Sequence, residues 1–397
     1  MRQPTAAILT AGCRLNQSES DALRHRPALQ GVVVVESLDE ADTVYVNTCT
    51  VTGQADRSSA QLVRRAGRAE HRPRVVVLGC LAERSPDEVR QIAGVTEVWN
   101  NVRKQAEIAG VPPAPVRSRA ILKVQDGCDR RCSYCVVSTL RGEPRSLPSS
   151  RVRAQFRQLL AEGFHEVVLT GLNLGTYRDG TTGLAGLLEN LLELCRDARI
   201  RLASLEPDTF DDALLSVVSD RRVCPHFHIP LQSGDDAVLA RMNRRYRAAD
   251  FARLLGRIVE VRPDANIGSD IIVGFPGETE QSFDLTRRFI AGLPIGYLHV
   301  FSFSPRPGVS QAGAEPVRHQ VARERVAALR AFSDRRRQDY QARSQGAVRP
   351  AVVETTRTAL TDNYLRLALT CPGRLAPRSL VSLRIGREGP TLTGSPY

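Results

Sequence analysis

Short β-rich segments alternate with amphipathic helical segments over the first 300 residues, and this alternation limits the possible folds more than any other feature. It is typical of parallel sheets whose crossover connections are helices. The first hundred residues predict strands over Ala6–Thr10, Val32–Glu36, Thr43–Thr48 and Arg74–Leu78, and helices over Ser18–Gln30, Asp56–Glu70 and Ser85–Ala93. We therefore expect an N-terminal domain, residues 1–113, built on a parallel sheet.

A second alternating series follows a proline-rich segment, Val111–Pro115, which suits neither a helix nor a strand and is interpreted as a linker. The six candidate strands are Ala120–Val124, Glu166–Thr170, Ile200–Ser204, His226–Pro230, Asn266–Val273 and Tyr297–Phe303. Candidate helices between them include Arg151–Glu162, Leu184–Arg196, Asp211–Asp220 and Thr279–Ala291. Six βα units indicate a partial, open barrel over residues 114–340 rather than a closed barrel of eight units.

The pattern changes at the C-terminal end of the chain. An arginine-rich helix is predicted over Ala322–Arg343, and short strands broken by Gly and Pro follow it. These strands are Ala351–Glu354, Tyr364–Leu369 and Leu380–Arg384. They indicate a small β-barrel over residues 341–397, so the expected fold class is α/β with three domains.

The charge of the chain is strongly positive, with 55 Lys and Arg against 43 Asp and Glu, a net charge of +12. The last 57 residues hold 8 of these cations and only 3 of the acids, which favours contact of the C-terminal domain with a polyanion. A solvated basic surface is the alternative. No apolar run reaches the roughly 18 residues that a bilayer-spanning helix needs, and no export signal is evident. We therefore expect a cytoplasmic protein without a membrane partner.

Nine cysteines, an odd number in a chain without an evident export signal, favour metal or redox chemistry over a disulfide framework. Cys13, Cys49 and Cys80 each follow the end of a predicted strand. Because parallel strands end at one edge of a sheet, we expect these three thiols to share a site, the alternative being three separate buried thiols. The isolated cysteines are expected to be buried thiols: Cys195, Cys224 and Cys371.

Cys128, Cys132 and Cys135 form a C-x3-C-x2-C loop after the first barrel strand. Three thiolates on one loop can hold three corners of a 4Fe–4S cluster, which ordinarily takes four cysteines. A structural zinc site would need a fourth protein ligand, and no Cys or His lies near in sequence. The spacing therefore predicts a cluster with one iron open to a further ligand.

This loop, placed after the first strand of a partial βα barrel, resembles the signature of the radical S-adenosylmethionine (radical SAM) enzymes. In that family the amino and carboxylate groups of S-adenosylmethionine bind the open iron, and an electron from the cluster cleaves the sulfonium to a 5′-deoxyadenosyl radical. The resemblance implies that the cofactor carries the difficult chemistry and that the barrel positions it and excludes water.

Nearly the whole chain resembles the methylthiotransferase subfamily of these enzymes. The matching segments are Val46–Thr52, Lys123–Cys135, Leu169–Tyr177, His226–Gly234 and Asp270–Thr279. The resemblance implies a second 4Fe–4S cluster on Cys13, Cys49 and Cys80, which carries the transferred sulfur, and a C-terminal RNA-binding TRAM domain. Ser138 departs from the family, which usually has Pro at that position, and the C-terminal domain is short.

The segments NTCTVT, KVQDGC and TGLNLGTY most resemble the branch that modifies threonylcarbamoyladenosine beside the anticodon of tRNA. The implied product is its 2-methylthio derivative, and the implied partners are tRNA, an electron donor such as flavodoxin or ferredoxin, and a sulfur source. Polar residues at barrel strand ends are candidate contacts for S-adenosylmethionine: Asn173, Ser204, Glu206, Gln232 and Asp270.

Three alternative functions stay open. The same chemistry could act on isopentenyladenosine in tRNA or on an aspartate of a ribosomal protein. In the third, the chain is a non-catalytic iron–sulfur protein that binds RNA or senses redox state.

Overall fold

A computed structural model describes residues 2–25, 31–307, 309 and 315–397. The N-terminal part is a five-stranded parallel sheet in the order β2-β1-β3-β4-β5. Its strands are β1 Thr5–Thr10, β2 Val33–Val34, β3 Thr43–Thr48, β4 Arg74–Gly79 and β5 Val95–Val98. Its helices are α1 Arg14–His25, α2 Gly53–Gly67, α3 Cys80–Arg84, α4 Pro86–Arg90 and α5 Asn101–Ile108. Apolar side chains cover both faces of this sheet, as expected when helices lie on each side.

Two details of this sheet differ from the sequence prediction. Helix α1 begins at Arg14, directly after Cys13, rather than at Ser18, and the predicted end of this helix, residues 26–30, lies outside the described residues. The strand predicted over Val32–Glu36 pairs with β1 only at Val33 and Val34. The early start of α1 matters because it places the first turn of that helix beside the Cys13 thiol.

The central part contains six main parallel strands in two three-stranded sheets, β12-β9-β6 and β13-β14-β15. A parallel bridge from Ile200 to Val223 joins the two sheets. The main strands are β6 Ala120–Lys123, β9 Glu166–Thr170, β12 Arg199–Leu202, β13 His226–His228, β14 Asn266–Val273 and β15 Tyr297–Ser302. Strands β6 and β15 are the two edges, which confirms the expected partial, open barrel.

Short strands and eight helices complete the central part within the described residues. The two-residue strands are β7 Gln125–Asp126, β8 Arg145–Ser146, β10 Arg178–Asp179 and β11 Thr182–Gly183. The helices are α6 Val137–Arg141, α7 Ser149–Ala161, α8 Leu184–Leu192, α9 Asp212–Val217, α10 Asp236–Arg241, α11 Ala248–Val261, α12 Glu280–Ala291 and α13 His319–Arg343. The helices pack their apolar faces on the outside of the strands and form the largest hydrophobic core. None of the described helices has the length and apolarity that crossing a membrane requires.

The C-terminal part is a closed five-stranded barrel in the order β16-β17-β18-β20-β19. Its strands are β16 Val348–Thr355, β17 Thr358–Thr361, β18 Arg366–Leu369, β19 Leu380–Glu388 and β20 Thr391–Pro396. The sequence predicted a small barrel here but missed β17 and β20, as it missed β5 and α5. Closure of the sheet removes the exposed edges that so short a domain would otherwise present.

Hydrogen bonds tie the C-terminal barrel to one end of the central barrel. Arg199 donates to the carbonyl oxygens of Pro350 and Leu360, and Arg201 donates to those of Thr361 and Asp362. Tyr364 stacks on His226 of β13 with the ring centroids 4.1 Å apart. The C-terminal domain therefore covers the interior of the central barrel at the end where its strands begin.

Candidate metal centres at two cysteine trios

Cys13, Cys49 and Cys80 (the N-terminal trio) come together at the carboxyl edge of the N-terminal sheet. Cys13 and Cys49 follow β1 and β3, and Cys80 is the first residue of α3 after β4. Burial is the main cause of the raised pKa of Cys49, and charge on the neighbouring Cys13 and Cys80 adds to it, so the three thiols lie close together. The structure thus places side by side three residues that are 36 and 31 positions apart in sequence, as the strand-end argument predicts.

Two glycines allow the backbone to close around this trio. Gly12 and Gly79 each precede a cysteine and each has a φ of +95°, a conformation that other residues rarely adopt. A Cβ on Gly12 would lie 2.7 Å from the Cys49 sulfur, and one on Gly79 would collide with the carbonyl oxygen of Thr48. Both turns therefore require glycine for two reasons, the dihedral angle and the lack of space.

Polar side chains fix the strand ends that carry the trio. Asn16, in the first turn of α1, donates hydrogen bonds from Nδ2 to the carbonyl oxygens of Ala11 and Thr48, both at 2.9 Å. Ser59 accepts from the backbone N–H of Cys49 at 2.9 Å and donates to its carbonyl oxygen at 2.8 Å. These buried bonds hold the backbone on either side of the thiols in one arrangement.

The N-terminal trio fits a group larger than one ion. A zinc ion at about 2.3 Å from each sulfur cannot hold two sulfurs more than about 4.6 Å apart. Among the described residues, the ligand atoms of this trio do not all lie within 4.8 Å of one another. Burial raises the pKa of Cys49 to about 11, so a thiolate there needs a cationic partner. An iron–sulfur cluster, whose irons bind thiolates at separate corners, satisfies both conditions.

Cys128, Cys132 and Cys135 (the loop trio) lie on the turn between β7 and α6. The Cys128 N–H donates to the carbonyl oxygen of Gly142 at 2.9 Å, and the Cys135 N–H donates to that of Cys132 at 3.0 Å. These bonds fold the loop back so that all three thiols line one open cavity of about 620 Å³. The three sulfur atoms likewise do not all lie within 4.8 Å of one another, which is farther apart than one zinc ion can bridge and favours a cluster.

Arg244 contacts one cysteine of the loop trio. Its Nη1 donates to the Cys132 sulfur at 3.4 Å and to the Tyr134 hydroxyl at 3.1 Å, and its Nη2 forms an ion pair with Glu206. Burial raises the pKa of Cys128, and it raises that of Cys135 to about 11. No sequence pattern indicated Arg244, because only the folded chain brings it to Cys132.

A buried network of charges lies between the two trios. Glu19 of α1 pairs with Lys104 at 2.9 Å, with Lys123 at 3.2 Å and with Arg141 at 2.5 Å. Asp126, two residues before Cys128, also contacts Lys123 and Arg141. Burial alone would raise the pKa of Glu19, but the three cations hold it well below its usual range. The network therefore keeps its carboxylates charged and joins the N-terminal sheet to the loop-bearing strand.

Arg141 also reaches the N-terminal trio. Its Nε donates to the Cys80 sulfur at 3.4 Å, and its Nη2 donates to Asn16 Oδ1 at 2.8 Å. Since Arg141 ends the helix α6, which begins two residues after Cys135, the two trios are linked through one short helix. Sequence reasoning missed this residue, because nothing in the pattern separates it from the many other arginines.

Two of the five predicted S-adenosylmethionine contacts lie together in the interior of the central barrel. The Ser204 hydroxyl and His228 Nδ1 are 2.9 Å apart, and His228 Nε2 and Asp270 Oδ1 are 3.1 Å apart. His299 Nδ1 lies 3.3 Å from the same Asp270 oxygen. Burial would raise the pKa of Asp270, but His228 and His299 hold it well below its usual range. The interior is therefore polar on this side.

The other three predicted contacts lie at the strand ends. Asn173 is buried, and neither atom of its amide has a hydrogen-bond partner among the described residues. Gln232 Oε1 is also buried without a hydrogen-bond partner among the described residues. The backbone φ of Gln232 is +71°, which is unusual for a residue other than glycine. Glu206, by contrast, already forms an ion pair with Arg244. Buried amides without partners suit a polar ligand, which these groups would bind.

Two of the three isolated cysteines match the prediction that they are buried. Cys195 is 3% exposed and Cys224 is 1% exposed, and both pack within the central domain. The prediction was wrong for Cys371, which lies in the loop after β18 and is partly exposed.

Two family models and many known proteins match this chain in sequence. Residues 122–290 match the model of the Radical SAM superfamily, and residues 5–100 match that of the Uncharacterized protein family UPF0004. The chain is 34% identical to the threonylcarbamoyladenosine tRNA methylthiotransferase MtaB of Aquifex aeolicus, over 90% of this chain and 95% of that protein. It is also 34% identical to the Bacillus subtilis protein of that name, over 91% and 90%.

A relative with a different printed activity and a solved structure extend the comparison. The chain is 32% identical to a tRNA-2-methylthio-N(6)-dimethylallyladenosine synthase of Paracoccus denitrificans, over 82% of this chain and 80% of that protein. The structure of the radical S-adenosylmethionine methyltransferase TsrM of Kitasatospora setae superposes with a TM-score of 0.56 at 15% identity, over 75% of this chain and 72% of that one. At that identity the likeness concerns the fold alone.

Proposed function

The chain belongs to the methylthiotransferase family of the radical SAM superfamily, in the threonylcarbamoyladenosine branch, and from this premise we propose that it converts threonylcarbamoyladenosine beside the anticodon of tRNA to its 2-methylthio derivative. S-adenosylmethionine and a 4Fe–4S cluster are the cofactors of this superfamily. The observation that carries the proposal is the convergence of Cys13, Cys49 and Cys80 beside a helix that leads from the loop trio.

Each trio is proposed to ligate one cluster with three thiolates. The chemistry supplied when these groups are bound is reductive cleavage of S-adenosylmethionine at the loop trio and delivery of sulfur at the N-terminal trio. The residues of the chain set the conditions for this chemistry. Gly12, Gly79 and Asn16 hold three thiols of the N-terminal trio in place, and the 620 Å³ cavity leaves room for a ligand against the loop trio.

Five residues are proposed to contact S-adenosylmethionine: Asn173, Ser204, Glu206, Gln232 and Asp270. The unpartnered amide atoms of Asn173 and Gln232 support this role, because a buried amide is costly unless a ligand satisfies it. Ser204 and Asp270 hold His228 between them and would orient it toward the interior. The C-terminal barrel, hydrogen-bonded to Arg199 and Arg201, covers one end of that interior and limits the entry of water.

The tRNA is proposed to contact a basic groove in which all three domains meet. Arg14, Arg117, Arg119 and Arg366 line this groove of about 670 Å³ with Tyr364 and, among the described residues, a single carboxylate, Glu354. Arg14 follows Cys13 directly, so phosphates in the groove would lie next to the N-terminal trio. A flavodoxin or ferredoxin as electron donor, a separate sulfur source, a TRAM-like role for residues 341–397 and a cytoplasmic location complete the proposal.

The nucleosides of cellular tRNA test the proposed reaction. A strain that lacks this gene should contain threonylcarbamoyladenosine but none of its 2-methylthio derivative, as measured by mass spectrometry, and the intact gene should restore the product. A Cys49→Ala gene should not restore it, whereas a Cys371→Ala gene should. Unchanged 2-methylthio-threonylcarbamoyladenosine in the deletion strain would refute the assignment. Loss of 2-methylthio-isopentenyladenosine or of a modified ribosomal aspartate would identify the substrate instead.

A second assay separates an enzyme from a non-catalytic iron–sulfur protein. The anaerobically reconstituted chain, given S-adenosylmethionine and dithionite, should release 5′-deoxyadenosine, and the Cys132→Ala variant should release none. Absence of 5′-deoxyadenosine from the reconstituted wild-type chain would favour a redox-sensing or purely RNA-binding role.

A further inference from the structure

We propose that Arg141 is a positioning residue that sets the reduction potential of the cluster at the N-terminal trio, through its hydrogen bond to the Cys80 sulfur. The inference rests on the proposed function, because it requires a cluster on Cys13, Cys49 and Cys80. It adds a residue that is not itself a ligand. Arg141, in the helix that follows the loop trio, would control the reduction potential of the N-terminal site.

The geometry of Arg141 leaves its side chain a single orientation. All three guanidinium nitrogens have partners: Nε donates to the Cys80 sulfur at 3.4 Å, Nη1 to Glu19 Oε1 at 2.5 Å and Nη2 to Asn16 Oδ1 at 2.8 Å. The residue is 2% exposed. A planar guanidinium held at three points cannot turn away from the sulfur, so the donor and its charge stay fixed at the site.

Asn16 extends the effect of Arg141 to the other two cysteines. While its Oδ1 accepts from Arg141, its Nδ2 donates to the carbonyl oxygens of Ala11 and Thr48. Ala11 lies two residues before Cys13, and Thr48 lies directly before Cys49. The guanidinium thus contacts one thiol directly and the backbone of the other two through one amide.

The surrounding charges give the effect its sign. The buried network contains three cations, Lys104, Lys123 and Arg141, and two carboxylates, Glu19 and Asp126, so it has a net charge of +1 beside the thiols. A positive charge and an N–H donor at a ligand sulfur stabilise the more negative, reduced state of a cluster. Arg141 therefore raises the reduction potential of the N-terminal site.

Arg244 provides a matched comparison within the same chain. Its Nη1 also donates to a ligand sulfur at 3.4 Å, but to Cys132 of the loop trio, and it is also buried. The two arginines are alike in chemistry, in burial and in donor distance. They differ in the trio that each one contacts, so each should shift the potential of one cluster only.

The test measures the midpoint potential of each cluster separately. In the full-length Cys128/Cys132/Cys135→Ala background, reconstituted anaerobically, only the N-terminal site can hold a cluster, and its potential is followed by electron paramagnetic resonance during a redox titration. Arg141→Met should lower the equilibrium constant for reduction of this cluster about tenfold or more. For a one-electron couple this is a fall of about 59 mV in the midpoint potential. Arg141→Lys, which keeps the charge but has a single nitrogen, should give a smaller shift in the same direction.

Arg244→Met is the control in both backgrounds. It should leave the N-terminal potential unchanged, and it should lower the potential of the loop cluster in the reciprocal Cys13/Cys49/Cys80→Ala background. Arg141→Met in that reciprocal background should have no effect. Equal N-terminal potentials with and without the Arg141→Met substitution, at equal iron content, would overturn the proposal.

Two further outcomes are decisive. In the first, neither Arg141→Met nor Arg141→Lys holds iron, whether or not circular dichroism shows the variants to be folded. Arg141 is then a structural requirement of the site, and the proposed tuning role is wrong. If the triple-alanine background itself holds no iron while Arg141 is intact, the N-terminal cluster does not exist. That result would refute the proposed function and not only the role of Arg141.

Discussion

Arg201 of β12 donates from Nε to Oε1 of Glu166 of β9 at 2.6 Å, and both side chains are fully buried. The same guanidinium donates to two backbone carbonyls of the C-terminal barrel. Burial would raise the pKa of Glu166, but Arg201 and Arg199 hold it well below its usual range. One carboxylate in the central barrel thereby fixes the cations on which the C-terminal domain docks.

Replacement of Glu166 by Gln should weaken this attachment. The substitution leaves Arg199 and Arg201 buried without a counter-charge, and loss of one partner of a buried pair costs about 3–5 kcal/mol. We expect a lower urea midpoint and faster proteolytic release of residues 341–397. Asp212→Asn, which removes an exposed partner of Arg257, is the control and should change the free energy of unfolding by less than about 0.5 kcal/mol.

The stability of the N-terminal sheet should depend on pH through Asp21 of α1. Burial raises the pKa of Asp21 to about 6, against the attraction of Arg24 and Arg117. Because the folded state holds this proton more tightly than the unfolded state, stability from this group is present below pH 4 and is lost between about pH 4 and pH 6.

Asp21→Asn should therefore stabilise the chain above pH 6, by up to about 3 kcal/mol at 1.4 kcal/mol per pKa unit, and should have little effect at pH 4. Unfolding midpoints of both proteins between pH 4 and pH 8 measure this difference. Asp87→Asn, at an exposed carboxylate of the same domain, is the control for the Asp-to-Asn change itself. A difference that stays constant with pH would contradict the expectation.

The glycine before Cys13 should be essential for metal binding at the N-terminal trio. In Gly12→Ala the new Cβ would lie 2.5 Å from the Cys49 Cβ, at a φ that costs about 1–2 kcal/mol for a residue with a side chain. We expect iron retention at this site, measured in the Cys128/Cys132/Cys135→Ala background, to fall by more than half. Gly180→Ala, at a φ of +58° with no atom within 4 Å, should retain its iron.

The sequence was sufficient to predict those features that depend on local pattern and on the rules of parallel sheets. The cysteines after β1, β3 and β4 lie close together because parallel strands end at one edge of a sheet, and this follows without any knowledge of packing. Strands β5, β17 and β20 were missed because short strands with few apolar residues resemble loops until a neighbouring strand pairs with them.

Contacts between distant segments could not be predicted from local patterns. Arg141 meets Cys80, and Arg244 meets Cys132, across 61 and 112 residues of sequence. Tyr364 meets His226 across two domains, at a backbone φ of +71° that no local pattern indicated. The convergence of the cysteines could therefore be predicted from sequence, whereas the hydrogen-bond donors around them depend on how the domains dock.

Affinity for tRNA should depend on the basic groove more than on total charge. Arg117→Gln and Arg366→Gln each remove a cation from the groove. Arg64→Gln and Arg68→Gln remove equal charges from another surface of the N-terminal domain, where arginines alternate with Glu36, Asp39 and Glu70. If each groove arginine neutralises a phosphate, its loss should reduce the slope of log K against log salt by about 1. Filter binding of threonylcarbamoyladenosine-containing tRNA at several salt concentrations measures these slopes, and 5′-deoxyadenosine release without tRNA should stay unchanged. Equal losses at both surfaces would mean that net charge alone, and not the groove, attracts the RNA.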